Sequence, residues 1–60
     1  MNRVHKSQLK DITVHLTELR ATIEAIRNEA GEHLSTHEDI STARAIADIK
    51  NAITHMQGVI

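Results

Sequence analysis

Leu9-Lys10-Asp11-Ile12-Thr13-Val14-His15-Leu16-Thr17-Glu18-Leu19-Arg20-Ala21-Thr22-Ile23-Glu24-Ala25-Ile26-Arg27-Asn28-Glu29-Ala30 is the stretch whose periodicity decides the fold. Its apolar positions Leu9, Ile12, Leu16, Leu19, Ile23, Ile26 and Ala30 step by 3, 4, 3, 4, 3 and 4 residues. An α-helix turns once in about 3.6 residues, so steps that alternate between three and four keep returning to one face. The spacing is a heptad seam, with position a at Leu9, Leu16, Ile23 and Ala30 and position d at Ile12, Leu19 and Ile26. Extended backwards, the seam weakens, because His5 takes a d position and Asn2 an a position. Neither Pro nor Gly interrupts residues 1–30, and the Glu, Arg, Ala and Leu between 18 and 30 favour helix. Gly31 then stands where a helix needs a left-handed terminating residue.

Beyond Gly31, Ser35 is followed three residues later by Glu38, the pattern of a capping box, with Thr36 and Asp39 as an alternative register. The acids at 38 and 39 suit the positive end of a helix dipole. Ile46, Ile49, Ile53, Met56 and Ile60 repeat the heptad spacing, and Ala45 and Ala52 beside them let a neighbouring helix approach. The expectation is a single helical-hairpin domain over residues 1–60: helix 1 at about 3–30, a turn at 31–35 and helix 2 at about 36–57. With the turn near 33, facing residues have numbers adding to about 66. Leu9 is then expected to face Met56, Ile12 to face Ile53, Leu19 to face Ile46, and Ile23 to lie near Ala43.

Composition narrows the function classes. A chain of 60 residues is marginal alone, because a domain of this size hides only about 60% of the surface its unfolded form exposes. Leu, Ile and Val supply 15 residues, too many for a disordered polar chain. There is no Cys to staple the fold or hold a metal as thiolate, and no Phe, Tyr or Trp to stack on bases. A net charge of −1 gives no bulk field for DNA or an anionic membrane. No apolar run approaches the roughly 18 residues of a membrane span, and no signal peptide opens the chain, so a cytoplasmic protein is expected.

An all-α antiparallel two-helix hairpin with so little core is expected to self-associate, into a four-helix bundle or a higher oligomer. The residues expected to carry that seam are Leu9, Ile12, Leu16, Leu19, Ile23, Ile26, Ile46, Ile49, Ile53 and Met56. Charge hints at the arrangement. Residues 1–10 carry Arg3, Lys6 and Lys10 with no acid, and residues 29–39 carry Glu29, Glu32, Glu38 and Asp39 with no Lys or Arg. In a head-to-tail dimer the basic open end of one hairpin meets the acidic turn of the other. Equally, the acids can complement helix ends and the basic end can simply be solvated.

The expected activity is binding rather than catalysis: a small regulatory, adaptor or inhibitor protein acting through protein–protein contact, with itself and another protein as partners. Off the seam, Ile40, Ala43 and Ala47 cluster on the outside of helix 2, and Val14 and Ala21 on the outside of helix 1. Lys6, Arg20, Arg27 and Lys50 flank the seam as cationic contacts for a partner or ligand. His33 and His37 have the i, i+4 spacing of metal ligands, yet Leu34 stands where a metallohydrolase places its general base, so no metal and no cofactor are expected. His5 and His55 approach each other at the open end in this register and could act as a pH-sensitive pair.

Two rival readings remain at this stage. Ile12-Thr13-Val14-His15-Leu16-Thr17 alternates as a short β-strand does and resembles the strand of ribbon–helix–helix repressors. That resemblance implies a DNA-binding dimer with Thr13, His15 and Thr17 facing the major groove. The other rival is an oligomer that holds a small anionic ligand between subunits. Position e of helix 1 reads Lys6, Thr13, Arg20 and Arg27, a broken basic stripe similar in placement to the RNA-binding face of the plasmid-copy-number Rop family. The similarity is architectural, no binding residue is carried across, and nucleic acid is not the favoured partner. Leu19-Arg20 with Ile23 and Ile26 resembles the first helix of helical chorismate mutases, but the rest of that family's basic active site is absent and no enzyme activity is assigned.

Overall fold

A computed structural model describes residues 1–60 and is all-helical. Helix α1 runs over Arg3–Ala30, a 3₁₀ turn follows at Gly31–His33, and helix α2 runs over Thr36–Gln57. No residue is in a strand. Ile12 to Thr17 lies wholly within α1, so the ribbon of the ribbon–helix–helix alternative does not form. The threonines show why their β-branching does not break the helix. Thr13 Oγ1 donates to the Leu9 carbonyl at 2.8 Å, Thr17 Oγ1 to the Thr13 carbonyl at 3.0 Å, and Thr22 Oγ1 to the Glu18 carbonyl at 2.9 Å. Each hydroxyl is satisfied one turn back along the helix. The intrinsic penalty of such residues is at most about 0.7 kcal/mol each, less than the burial gained by holding Leu9 and Leu16 on one face.

Each helix end has a defined cap. The Asn2 side chain accepts the His5 N–H at 2.9 Å and opens α1. Gly31 closes it at φ 52°, ψ −123°, with its own N–H donated to the Arg27 carbonyl. That backbone lies where side chains are disfavoured, and three residues on the Leu34 N–H donates to the Gly31 carbonyl at 3.3 Å. Ser35 then opens α2 with a complete capping box. The Glu38 N–H donates to Ser35 Oγ at 3.1 Å, and the Ser35 N–H donates to Glu38 Oε1 at 2.9 Å. The alternative cap at Thr36 is not used; Thr36 is the first helical residue. These bonds hold the Glu38 carboxyl below its ordinary pKa, chiefly through the backbone bond from Ser35 and then through the Ser35 side chain.

The body measures 46 × 16 × 10 Å. A helix of 28 residues is itself about 42 Å long, so the two helices must lie side by side, and a connection at residues 31–35 makes them antiparallel. The radius of gyration is 14.2 Å, against about 10 Å for a compact globule of this length. The protein is a rod, and only Thr13 and Ile46 are buried in it.

Two substitutions probe the turn. A Cβ at Gly31 meets nothing within 4 Å, so Gly31→Ala tests backbone strain alone and should lower unfolding free energy by about 1–3 kcal/mol in chemical denaturation. Ser35→Ala should cost about 0.5–2 kcal/mol through loss of the cap. The folded-state pKa of Glu38 is depressed, so its stabilising share is present at neutral pH and is lost as pH falls through that lowered value. The acid limb of the thermal stability profile should therefore be shallower in Ser35→Ala than in the parent protein.

Candidate functional site

One ion pair and one cleft mark the register. Near the turn, an Arg27 guanidinium nitrogen pairs with Asp39 Oδ1. At the other end, Lys6 and Ile60 line one cleft. The numbers of the Arg27–Asp39 pair add to 66, the cleft brings Ile60 back beside residues 3–10, and helical spacing extends that register along the rod. Three parallel rows result, each repeating every seven residues.

One outer row sets Thr13, Arg20 and Arg27 of α1, its e positions, level with Ile53, Ile46 and Asp39 of α2. This edge is closed. It contains both buried residues, Thr13 and Ile46, each 8% exposed. Arg20 and Arg27 are half-buried with their Nε atoms shut off from solvent and without a hydrogen-bond partner. The middle row sets Leu9, Leu16 and Ile23 against Met56, Ile49 and Thr42, all half-buried.

The other outer row is open. Ile12, Leu19 and Ile26, the d positions of α1, are 50%, 44% and 58% exposed, and the α2 residues level with Ile12 and Leu19 are only Ala52 and Ala45. The seam is therefore divided. Leu9, Leu16, Ile23, Ile46, Ile49, Ile53 and Met56 point into the pair, and Ile12, Leu19 and Ile26 lie outside it. The expected facing of Leu19 with Ile46 and of Ile12 with Ile53 is not reproduced as shared burial, since Ile46 is covered from the e side and Leu19 is left open. Ile23 lies level with Thr42, and Ala43 points outward into solvent.

The e stripe does not make an open basic face. Thr13 is buried, Arg27 is paired with Asp39, and Lys6 alone among the four is fully exposed. Lys50, Ala43, Ala47 and Ile40 are all exposed on α2, Ile40 at 54%. Val14 and Ala21 are exposed on α1. His33 and His37 stand on either side of the Ser35 cap, both exposed, and no group of three or more His, Cys, Asp or Glu converges anywhere on the molecule. His5 and His55 are exposed at the open end. Sequence periodicity did not single out the open-end cleft of about 230 Å³, lined by Arg3, Lys6, Ser7, Lys10 and Ile60. The signal for it was the i, i+3, i+4, i+7 spacing of Arg3, Lys6, Ser7 and Lys10, which gathers them on one helix face.

No helix is long and apolar enough to cross a membrane. Set against known protein families, curated proteins and solved structures, the chain matches none.

Proposed function

We propose that the chain is a non-enzymatic binding module. In this reading the helical hairpin completes its core with another copy of itself, as a homodimer closing a four-helix bundle or as a higher oligomer. It then acts as a small regulatory, adaptor or inhibitor protein through protein–protein contact. The observation that carries the proposal is the open row of Ile12, Leu19 and Ile26, three large apolar side chains in register and uncovered. Surface area supports it. The chain exposes 4722 Å², whereas a compact monomer of 6.7 kDa exposes about 3,900 Å². The excess of about 800 Å² matches what each partner buries in a standard protein interface.

Binding is favoured over catalysis by how the hydroxyls are used. Those of Thr13, Thr17, Thr22, Thr42 and Thr54 donate to main-chain carbonyls, and Ser35 is the cap of α2. A different protein partner would dock on the outer face of α2, where Ile40, Ala43, Ala47 and Lys50 are exposed. A second reading, capture of a small anion, is favoured by the cleft of Arg3, Lys6, Ser7 and Lys10, whose three cations have no carboxylate partner.

Sedimentation tests the first reading directly. Apparent mass should rise with concentration from 6.7 kDa to a multiple of it, and a single 6.7 kDa species at every concentration overturns the proposal. Leu19→Asp should abolish association, whereas Val14→Asp, at a position 56% exposed and outside all three rows, should leave it unchanged. Ile46→Ala should destabilise the fold by about 2–5 kcal/mol, since it empties the closed edge itself.

A further inference from the structure

The two ends of the rod carry opposite charge. At the open end, residues 1–10 and 56–60 hold Arg3, Lys6 and Lys10 and no acidic side chain. At the turn, residues 24–42 hold Glu24, Glu29, Glu32, Glu38 and Asp39 against Arg27 alone. The side-chain charges are thus +3 and −4 at ends separated by the 46 Å length of the body. Within one chain the two ends do not feel each other, because the screening length in physiological salt is about 8 Å. Between two chains packed side by side they do, because helices in contact lie about 8–10 Å apart.

Two symmetric ways exist to cover the open row with a second copy. A twofold axis along the rod puts the Ile12, Leu19 and Ile26 row of one hairpin over the Ala52 and Ala45 edge of the other. Both turns then share one end, and −4 stands beside −4 and +3 beside +3. A twofold axis lying in the plane of the interface and perpendicular to the rod reverses the second hairpin. Leu19 then meets Leu19 of the second copy, Ile12 meets its Ile26, Ala45 meets its Ala45, and each acidic turn lies beside a basic open end. The apolar row is symmetric about Leu19, so reversal keeps all three of its side chains in contact, and the small Ala45 and Ala52 let the two α2 helices draw close.

We infer that the open face is the docking surface for a second copy of this chain in head-to-tail orientation, selected by the opposite charges of the rod's two ends. The inference rests on the self-association proposed above and adds the orientation. It also accounts for the unpaired cations of Arg3, Lys6 and Lys10, which lie beside the partner's acidic turn in this dimer.

The chain has no cysteine, so engineered ones report the pairing without background. Under mild oxidation, L19C alone should form a covalent dimer, because that position sits on the axis, and so should A45C. A mixture of I12C and I26C should cross-link while neither does so alone, which guards against a local defect in L19C. If instead L19C and A45C cross-link only when mixed, the axis runs along the rod and the orientation is overturned. Sodium chloride supplies a second readout with opposite signs. Raising it from 50 mM to 500 mM should weaken a head-to-tail dimer about three- to tenfold, whereas a same-end dimer tightens. A monomer at every concentration with no cross-link in any mixture refutes the self-association itself.

Discussion

Two helices touch along a line, and a line of contact has two sides. Helix α2 closes only one of them. The edge built from Thr13, Arg20 and Arg27 with Ile53 and Ile46 is covered up to its exposed end at Asp39, and the edge built from Ile12, Leu19 and Ile26 is not. Everything else about the molecule follows from that asymmetry. It accounts for a body with only two buried residues, for an area larger than a monomer of this mass needs, and for one apolar row in register that the chain cannot itself cover. The Arg27–Asp39 pair is too exposed to contribute more than about 0–1 kcal/mol, so its importance lies in register rather than stability. Placed at the turn, it phases the seven-residue repeat of one helix against that of the other.

The polar groups are arranged around the same division. Threonines that a sequence reader takes for strand formers tie their hydroxyls to the preceding turn, and this allows Thr13 to be buried without an unsatisfied donor. Arg20 and Arg27, expected in a stripe for an anionic partner, are instead half-buried with their Nε atoms shut off from solvent. The open end, over residues 1–10 and 56–60, carries Arg3, Lys6 and Lys10 and no acidic side chain, whereas the turn, over residues 24–42, carries five acids against Arg27 alone. A rod charged at opposite ends, with its apolar row midway between them, is the shape that oriented association exploits.

Much of the fold could be read from the residues. Two all-helical segments, the stop at Gly31 and the Ser35–Glu38 capping box are local chemistry, and each is present in the structure. The side of the contact line could not be read. Periodicity shows that Leu9, Ile12, Leu16 and Leu19 share a face about 100° wide, yet it does not say whether a second helix settles toward the d positions or the e positions. That choice is made through the connection at residues 31–35, whose path the seam spacing does not encode. Spacing held one hint that could have been used. Asp39, Ile46 and Ile53 repeat at seven in step with Arg27, Arg20 and Thr13, a match of charge to charge at one end that the d positions lack. The open-end cleft was hidden for another reason: it needs Ile60 brought back beside Lys6, a contact between residues far apart in the chain.

The choice of edge is itself informative. Had the hairpin been the final state, closing over Ile12, Leu19 and Ile26 would have removed three large apolar side chains from water and left Thr13, Arg20 and Arg27 solvated, where polar groups cost nothing. The chain does the reverse. It covers the edge that carries a threonine and two arginines, and it leaves uncovered the edge made of isoleucine and leucine. In a lone rod this is frustration, a local arrangement at odds with the best global one. In the proposed assembly it is not, because the apolar edge would be buried between copies. Under the self-association proposed above that conflict disappears, and the stability of each hairpin would then depend on the concentration of the others.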